Sequence, residues 1–127
     1  MLRVILDQTH WGNRGFFMEF PNGNSLSIMF GIHHMCSNNS VAEPKLDRQI
    51  ENNMWQCEDA EVLITIDGLP CFIEQFDPIS RVTPMLLARF IDICSRHVGA
   101  LCHTMIIDAW TVHWDQLLRE SMEEDND

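Results

Sequence analysis

A chain of 127 residues gives room for one compact domain, and 46% hydrophobic against 21% charged residues is a globular balance that excludes wholesale disorder. Nineteen acids against eight bases leave a net charge of −11, which excludes a protein held on nucleic acid by its own charge, because such binding needs Lys and Arg to displace phosphate counterions. No apolar run approaches the roughly 18 residues of a membrane span, and Asp7 interrupts the first hydrophobic residues too early for a signal-peptide core; a soluble, cytoplasmic protein is expected.

In chain order, the first clear element is a β-hairpin. Phe16–Phe20 and Ser25–Phe30 are strand-like runs separated by Pro21-Asn22-Gly23-Asn24, and Asn-Gly tolerates the positive φ angles of tight hairpin turns. Leu26, Ile28 and Phe30 alternate with Ser25, Ser27 and Met29, the pattern of a strand with one buried face. Residues 36–59 then form a long polar connection, and loops of this length inside a small domain are usually functional or mobile. Its large anchor is Trp55, and its acids Glu43, Asp47, Glu51, Glu58 and Asp59, with Glu61 just beyond, make it the first surface of interest.

A second hairpin follows, in which Ala60–Ile66, rich in β-branched residues, meets Leu69–Glu74 across an Asp67-Gly68 turn. Pro70 has no amide hydrogen, so the second strand lies at a sheet edge or starts after the proline. From residue 83 the period becomes helical. Thr83 is a suitable N-cap, Pro84 suits the first helical position, and Leu87, Phe90, Ile91, Cys94 and Val98 recur at helical steps opposite Arg89, Asp92 and Arg96, with Gly99 as the stop. Residues 100–107 read equally as a strand or a first helical turn. Asp108 can cap a final helix with an apolar stripe of Trp110, Trp114, Leu117, Leu118 and Met122. The expected fold is α+β: an antiparallel sheet of two β-hairpins packed on two C-terminal amphipathic helices, a single domain over 1–119. The eight residues after Arg119 hold five acids (Glu120, Glu123, Glu124 and Asp125 among them) and no base, an acidic tail over 120–127.

The side chains capable of chemistry form no recognised catalytic pattern. Five cysteines, Cys36, Cys57, Cys71, Cys94 and Cys102, include no CxxC pair, and an odd count argues against a disulfide framework. His33-His34-Met35-Cys36, and Cys94 with His97, Cys102 and His103, are zinc-compatible donor types at loose spacing; satisfied histidines and reduced thiols are the simpler reading, and no metal or other cofactor is expected. Glu58-Asp59-x-Glu61 is an acidic knot before a strand, read as surface charge in preference to a Mg²⁺ site. There is no glycine-rich phosphate loop, GxSxG elbow or HExxH pair, so no enzymatic activity is expected.

Phe20–Gly31, followed by Cys36-Ser37-Asn38 and Ala60-Glu61-Val62, resembles small uncharacterised proteins encoded by bacteriophages, over roughly residues 17–66; residues 1–16 and the helical C-terminal half depart from that pattern. The resemblance implies a phage origin and supplies no catalytic residues. With that origin, an acidic chain without catalytic motifs suggests a non-enzymatic inhibitor in the host cytoplasm. It would bind a nucleic-acid-processing or antiviral defence complex, in an anti-CRISPR-like or other counter-defence role, by offering carboxylates to a basic nucleic-acid groove. The expected contacts are Glu43, Asp47, Glu51, Trp55, Glu58, Asp59, Glu61, Glu120, Glu123, Glu124 and Asp125. The alternatives are a structural or assembly accessory that forms a homo-oligomer through the tryptophan helix, and a Cys/His metal-dependent protein.

Overall fold

Strict alternation along one strand organises the molecule. In the computed structural model, which describes residues 1–6, 14–30, 59–73 and 78–125, strand β4 (Ala60–Ile66) buries Ala60, Val62, Ile64 and Ile66 and leaves Glu61, Leu63 and Thr65 on the other face. β1 (Leu2–Leu6), β2 (Arg14–Glu19) and β3 (Ser25–Phe30) build out from one side of β4 in the order β1-β2-β3-β4, each pair antiparallel. β3 occupies one edge of β4, so β5 (Leu69–Cys71) and β6 (Ile79–Val82) share the other, β5 along Ile64–Ile66 and β6 along Ala60–Val62. Helices α1 (Pro84–Arg96) and α2 (Gly99–Asp125) complete the α+β fold, as the sequence leads one to expect.

The register lines up one apolar face. Met18, Leu26, Ile64 and Cys71 make one cross-strand row, and Phe16, Ile28, Val62 and Ile79 the next. These rows meet Leu86, Phe90, Ile93 and Cys94 of α1 and Cys102 and Ile106 of α2 in a single buried cluster. On the reverse face, Arg3 lies opposite Phe17 with its guanidinium 5.3 Å from the ring centroid, a cation–π contact that shields the aromatic. Gly15 is required by proximity: a Cβ there would overlap the Ile28 carbonyl oxygen and the Met29 sulfur.

The two hairpin turns differ. Asp67 (φ 53°) and Gly68 (φ 79°) are both left-handed between the paired residues Ile66 and Leu69, the two-residue type I′ geometry that Asp-Gly favours. At Pro21-Asn22-Gly23 only Gly23 has positive φ (93°), Gly23 N–H donates to Phe20 O (3.0 Å), and Phe20 N–H donates to Asn24 O (2.9 Å). This is a three-residue loop, a type I turn closed by a left-handed glycine. Pro21 supplies the first turn residue, so Asn22 keeps a negative φ and its side chain is available for other work.

Several expectations are corrected. β1 and β6 are additional strands: Leu2–Leu6 shows no polar alternation, and Ile79–Val82 is only four residues. The strand after Asp67-Gly68 ends at Cys71, short of Glu74, and it lies at the sheet edge, which accommodates Pro70. Thr83 caps α1 as expected, accepting from Leu86 N–H. The buried stripe of α1, however, runs through Leu86, Phe90, Ile93 and Cys94; Leu87 and Ile91 flank it, and Val98 is outside the helix and exposed. α1 stops at Arg96 with His97 as C-cap, so Gly99 (φ 60°) opens α2 instead of ending α1. Asp108 is not a cap: residues 100–107 are already helical, and α2 continues unbroken from Gly99 to Asp125, taking in residues 120–125 of the expected tail.

The end of α1 is closed by the first hairpin. Asn24, fully buried, donates from Nδ2 to Cys94 O (3.0 Å) and His97 O (2.7 Å), with the Cys102 sulfur alongside at 3.8 Å. Asn22 Nδ2 donates to the same two carbonyls (2.8 and 3.4 Å), and its Oδ1 accepts from Asn24 N–H. Two side-chain amides thus satisfy carbonyls that a helix C-terminus leaves without partners. Asn24→Asp keeps the shape but replaces the donor with an acceptor, and should cost on the order of 3 kcal/mol at neutral pH in urea denaturation. Only the protonated acid can donate, so the new carboxyl has a raised folded-state pKa. Relative to the parent, the variant should be most stable below the unfolded carboxyl pKa of about 3.9 and lose that stability as pH rises.

Candidate partner-binding site

The expected contact residues divide into three groups. Glu43, Asp47, Glu51, Trp55 and Glu58 lie outside the described residues, as does the His33–Cys36 cluster. Asp59 and Glu61 stand at the start of β4. Glu120 and Glu123 are exposed near the end of α2; Glu124 and Asp125 continue the same helix, their side chains outside the description.

Asp59 is not an open carboxylate. Its side chain is only 16% exposed and faces the Arg81 guanidinium at 4.0 Å. Arg81 takes its position from a bulge: Ala60 pairs with Val82 but Val62 pairs with Ile79, which sets Ser80 and Arg81 together opposite Glu61, with Arg81 left-handed at φ 55°. Glu61 is half-buried on the outer face of β4, paired with Met29. The acidic knot read from sequence is therefore partly spent within the fold.

The geometry of the helices produces a more open surface. α1 and α2 run antiparallel: the C-terminal end of α1 meets Cys102 through Asn24, while Thr83, at the N-terminal end, has its Oγ1 3.4 Å from His113 Nε2. α1 has 13 residues, about 20 Å, whereas α2 has 27, about 40 Å. Residues 114–125 consequently run past the start of α1 by about 18 Å at 1.5 Å per residue. This overhang carries Leu118 at 61% and Met122 at 65% exposure, with Asp115, Glu120 and Glu123 exposed. Val82 pairs with Ala60 and immediately precedes Thr83, so Asp59 and Glu61 sit at the same end of the molecule as the overhang. The fold gathers acids from β4 and α2 at one end, a grouping that sequence separation hides.

Trp110 and Trp114 are intermediate between core and surface. Trp110 packs against the buried cluster, and Trp114 leans on it with ring centroids 6.2 Å apart and planes tilted by 60°. The aromatic pair is the point at which the core ends and the overhang begins.

The histidines and cysteines have separate environments. Cys94 and Cys102 are fully buried and Cys71 nearly so, while His103 is exposed. Among the described residues no three His, Cys, Asp or Glu side chains are arranged to hold a metal ion. Burial pushes the Cys71 thiol up to about 11 and raises Cys94 and Cys102 as well, so all three are held protonated. A cleft of about 370 Å³ between the β4–β5 turn and the start of α2 is lined by Ile66, Asp67, Leu69, Cys71 and His103, and the one thiol in that lining is in its non-nucleophilic form. No described helix is long and apolar enough to cross a membrane.

Comparisons with protein-family models, with curated proteins and with solved structures give no match, so the functional argument rests on this surface.

Two measurements test the site's electrostatics and burial. Burial, followed by the Arg89 guanidinium, lowers the pKa of His113 below 6.5, against the opposing pull of Glu120. The unfolded chain therefore takes up this proton before the folded protein does, and stability falls as pH drops from 6.5 through the lowered value. His113→Gln should flatten that part of the urea-denaturation profile relative to the parent. Brief alkylation followed by peptide mass mapping should leave Cys71, Cys94 and Cys102 unmodified until denaturant is added; rapid labelling of any of them in native protein would contradict their burial.

Proposed function

We propose that this protein is a non-enzymatic, acidic binding protein that inhibits a host nucleic-acid-processing or antiviral defence complex, in keeping with the phage resemblance and an anti-CRISPR-like or other counter-defence role. The observation that carries the reading is the overhang of α2. A helix that outruns its packing partner by about 18 Å carries exposed Glu120 and Glu123 flanking exposed Leu118 and Met122, outside the core formed by the described residues. Carboxylates at a helix C-terminus also oppose the macrodipole, and the last turn holds no base to compensate. Their placement is favourable to a basic partner and unfavourable to the isolated fold.

The physical mechanism is steering followed by occupation. An enzyme that grips DNA or RNA presents a cationic groove, and a rigid anionic projection enters it with less ordering cost than a disordered tail. Glu120 and Glu123 carry the long-range attraction, with Glu124 and Asp125 adding to the charge of the same helix. Asp59 and Glu61 add to the field at that end but act from within their own contacts in the sheet.

A second reading has its own supporting observation. Leu118 and Met122 are large apolar side chains more than half exposed, and a homo-oligomer that buried them would be an assembly module. Salt separates the two, because hydrophobic assembly survives high ionic strength while groove occupation does not.

Immobilised protein should retain a nucleic-acid-binding enzyme from host extract at low salt, release it at high salt, and lose it to competing duplex DNA. Glu120→Lys with Glu123→Lys should slow association by roughly tenfold or more at low salt while leaving the melting temperature near that of the parent, since both residues are exposed. Retention indifferent to salt, to duplex DNA and to these substitutions would overturn the proposal.

A further inference from the structure

The apolar residues of the α2 overhang have a specific spacing. Trp110, Trp114, Leu118 and Met122 are each four residues apart, so they form one continuous ridge of the i±4 type that winds slowly around the helix. The alternative seam with a period of 3.5 residues, through Trp110, Trp114 and Leu117, would next require Ser121, which is polar and exposed. The four-residue ridge is thus the better defined of the two. Its first member is anchored in the core, its second rests on the first at 6.2 Å, and its last two are open to solvent. The ridge starts as core and leaves the domain as surface.

The charge around it restricts what can cover it. From Asp115 to Asp125 the helix carries five acids and a single base, Arg119. A second copy of this helix would bring the same acids against each other within a chain that already carries −11, and an anionic membrane surface or nucleic acid would meet the same repulsion. A helix with an apolar ridge bordered by lysine or arginine answers both the shape and the charge. Two i±4 ridges that interdigitate cross at about −50°, so such a helix lies across α2 and not along it.

We propose that the Trp110–Trp114–Leu118–Met122 ridge is a docking site for an amphipathic, basic helix of the partner protein, crossing α2 obliquely. This inference rests on the proposed function and adds the kind of element recognised: a basic helix bordering the partner's nucleic-acid groove packs on the ridge while the acids of α2 face the groove itself. The half-buried tryptophans supply a preformed wall, and Leu118 and Met122 are the side chains that become covered.

The test uses the full chain and a fluorescently labelled synthetic helical peptide with leucines four residues apart and lysines on both flanks. Anisotropy should report saturable one-to-one binding. A peptide of the same composition with its leucines scattered should bind at least tenfold more weakly, and a glutamate-flanked peptide should not bind. Leu118→Ser with Met122→Ser should weaken binding of the ordered peptide by tenfold or more; circular dichroism and melting temperature verify that the variant is folded, as its exposed positions lead one to expect. Equal binding of ordered and scattered peptides, or indifference to the double substitution, would reduce the contact to charge alone and overturn the docking site. So would a dimer of the parent in analytical ultracentrifugation that the same double substitution dissolves. Should the ordered peptide fail to bind while capture of a host enzyme still responds to Glu120→Lys and Glu123→Lys, the docking site falls and the inhibitor reading stands; peptide binding with no enzyme captured separates them in the other direction.

Discussion

The contact on which the arrangement depends is a pair of side-chain amides set against the end of a helix. Asn22 and Asn24 hold the Cys94 and His97 carbonyls at 2.7–3.4 Å, and these bonds tie a turn between two strands to a helix some seventy residues away in sequence. A helix terminus brought into an apolar interior must find partners for its last carbonyls, because water is excluded. Supplying them from the hairpin fixes where α1 ends on the sheet. The arrangement has a cost, since Asn24 Oδ1 is buried with no hydrogen-bond partner among the described residues.

With that end pinned, the rest follows from length. α2 begins two residues after the α1 cap and returns antiparallel to it, burying Cys102 and Ile106 against the same cluster. Contact with α1 lasts until the Thr83–His113 pair, where the shorter helix runs out. Beyond it Trp114 rests on Trp110, and residues 115–123 are exposed. The acids concentrated there therefore reflect no requirement of the core, and the unfavourable dipole term makes them a small burden on folding. A charged surface placed where it costs stability is where partner recognition is best sought.

The candidate site is correspondingly redistributed. Sequence reasoning placed the loop acids around Asp59 first and the acids near Glu120 after them, both as local concentrations of charge. The fold distinguishes them: a bulge brings Arg81 to Asp59 and neutralises part of that cluster, whereas Glu120 and Glu123 are exposed. Trp110 and Trp114, read from sequence as part of the last helix's apolar stripe, are both partly buried, Trp110 against the core and Trp114 against Trp110.

What the chain announced by itself was local. Alternation in Ser25–Phe30, the β-branched run Ala60–Ile66, the turn at Asp67-Gly68, the Thr83-Pro84 helix start and the acid-rich end are properties of neighbouring residues, and nearest-neighbour chemistry is enough to read them. Strands β1 and β6 were not legible, because a short run without alternation becomes a strand only when a partner edge completes its hydrogen bonds. Nor was the continuous α2: Gly99 and Asp108 carry the usual marks of a stop and a start, and packing of Cys102 and Ile106 overrode them. The Asn22–Asn24 clamp, the Arg81–Asp59 pairing and the overhang all depend on distances between residues remote in sequence. Only the folded chain sets those distances, since each is the outcome of burying one apolar face of the sheet against two helices of unequal length.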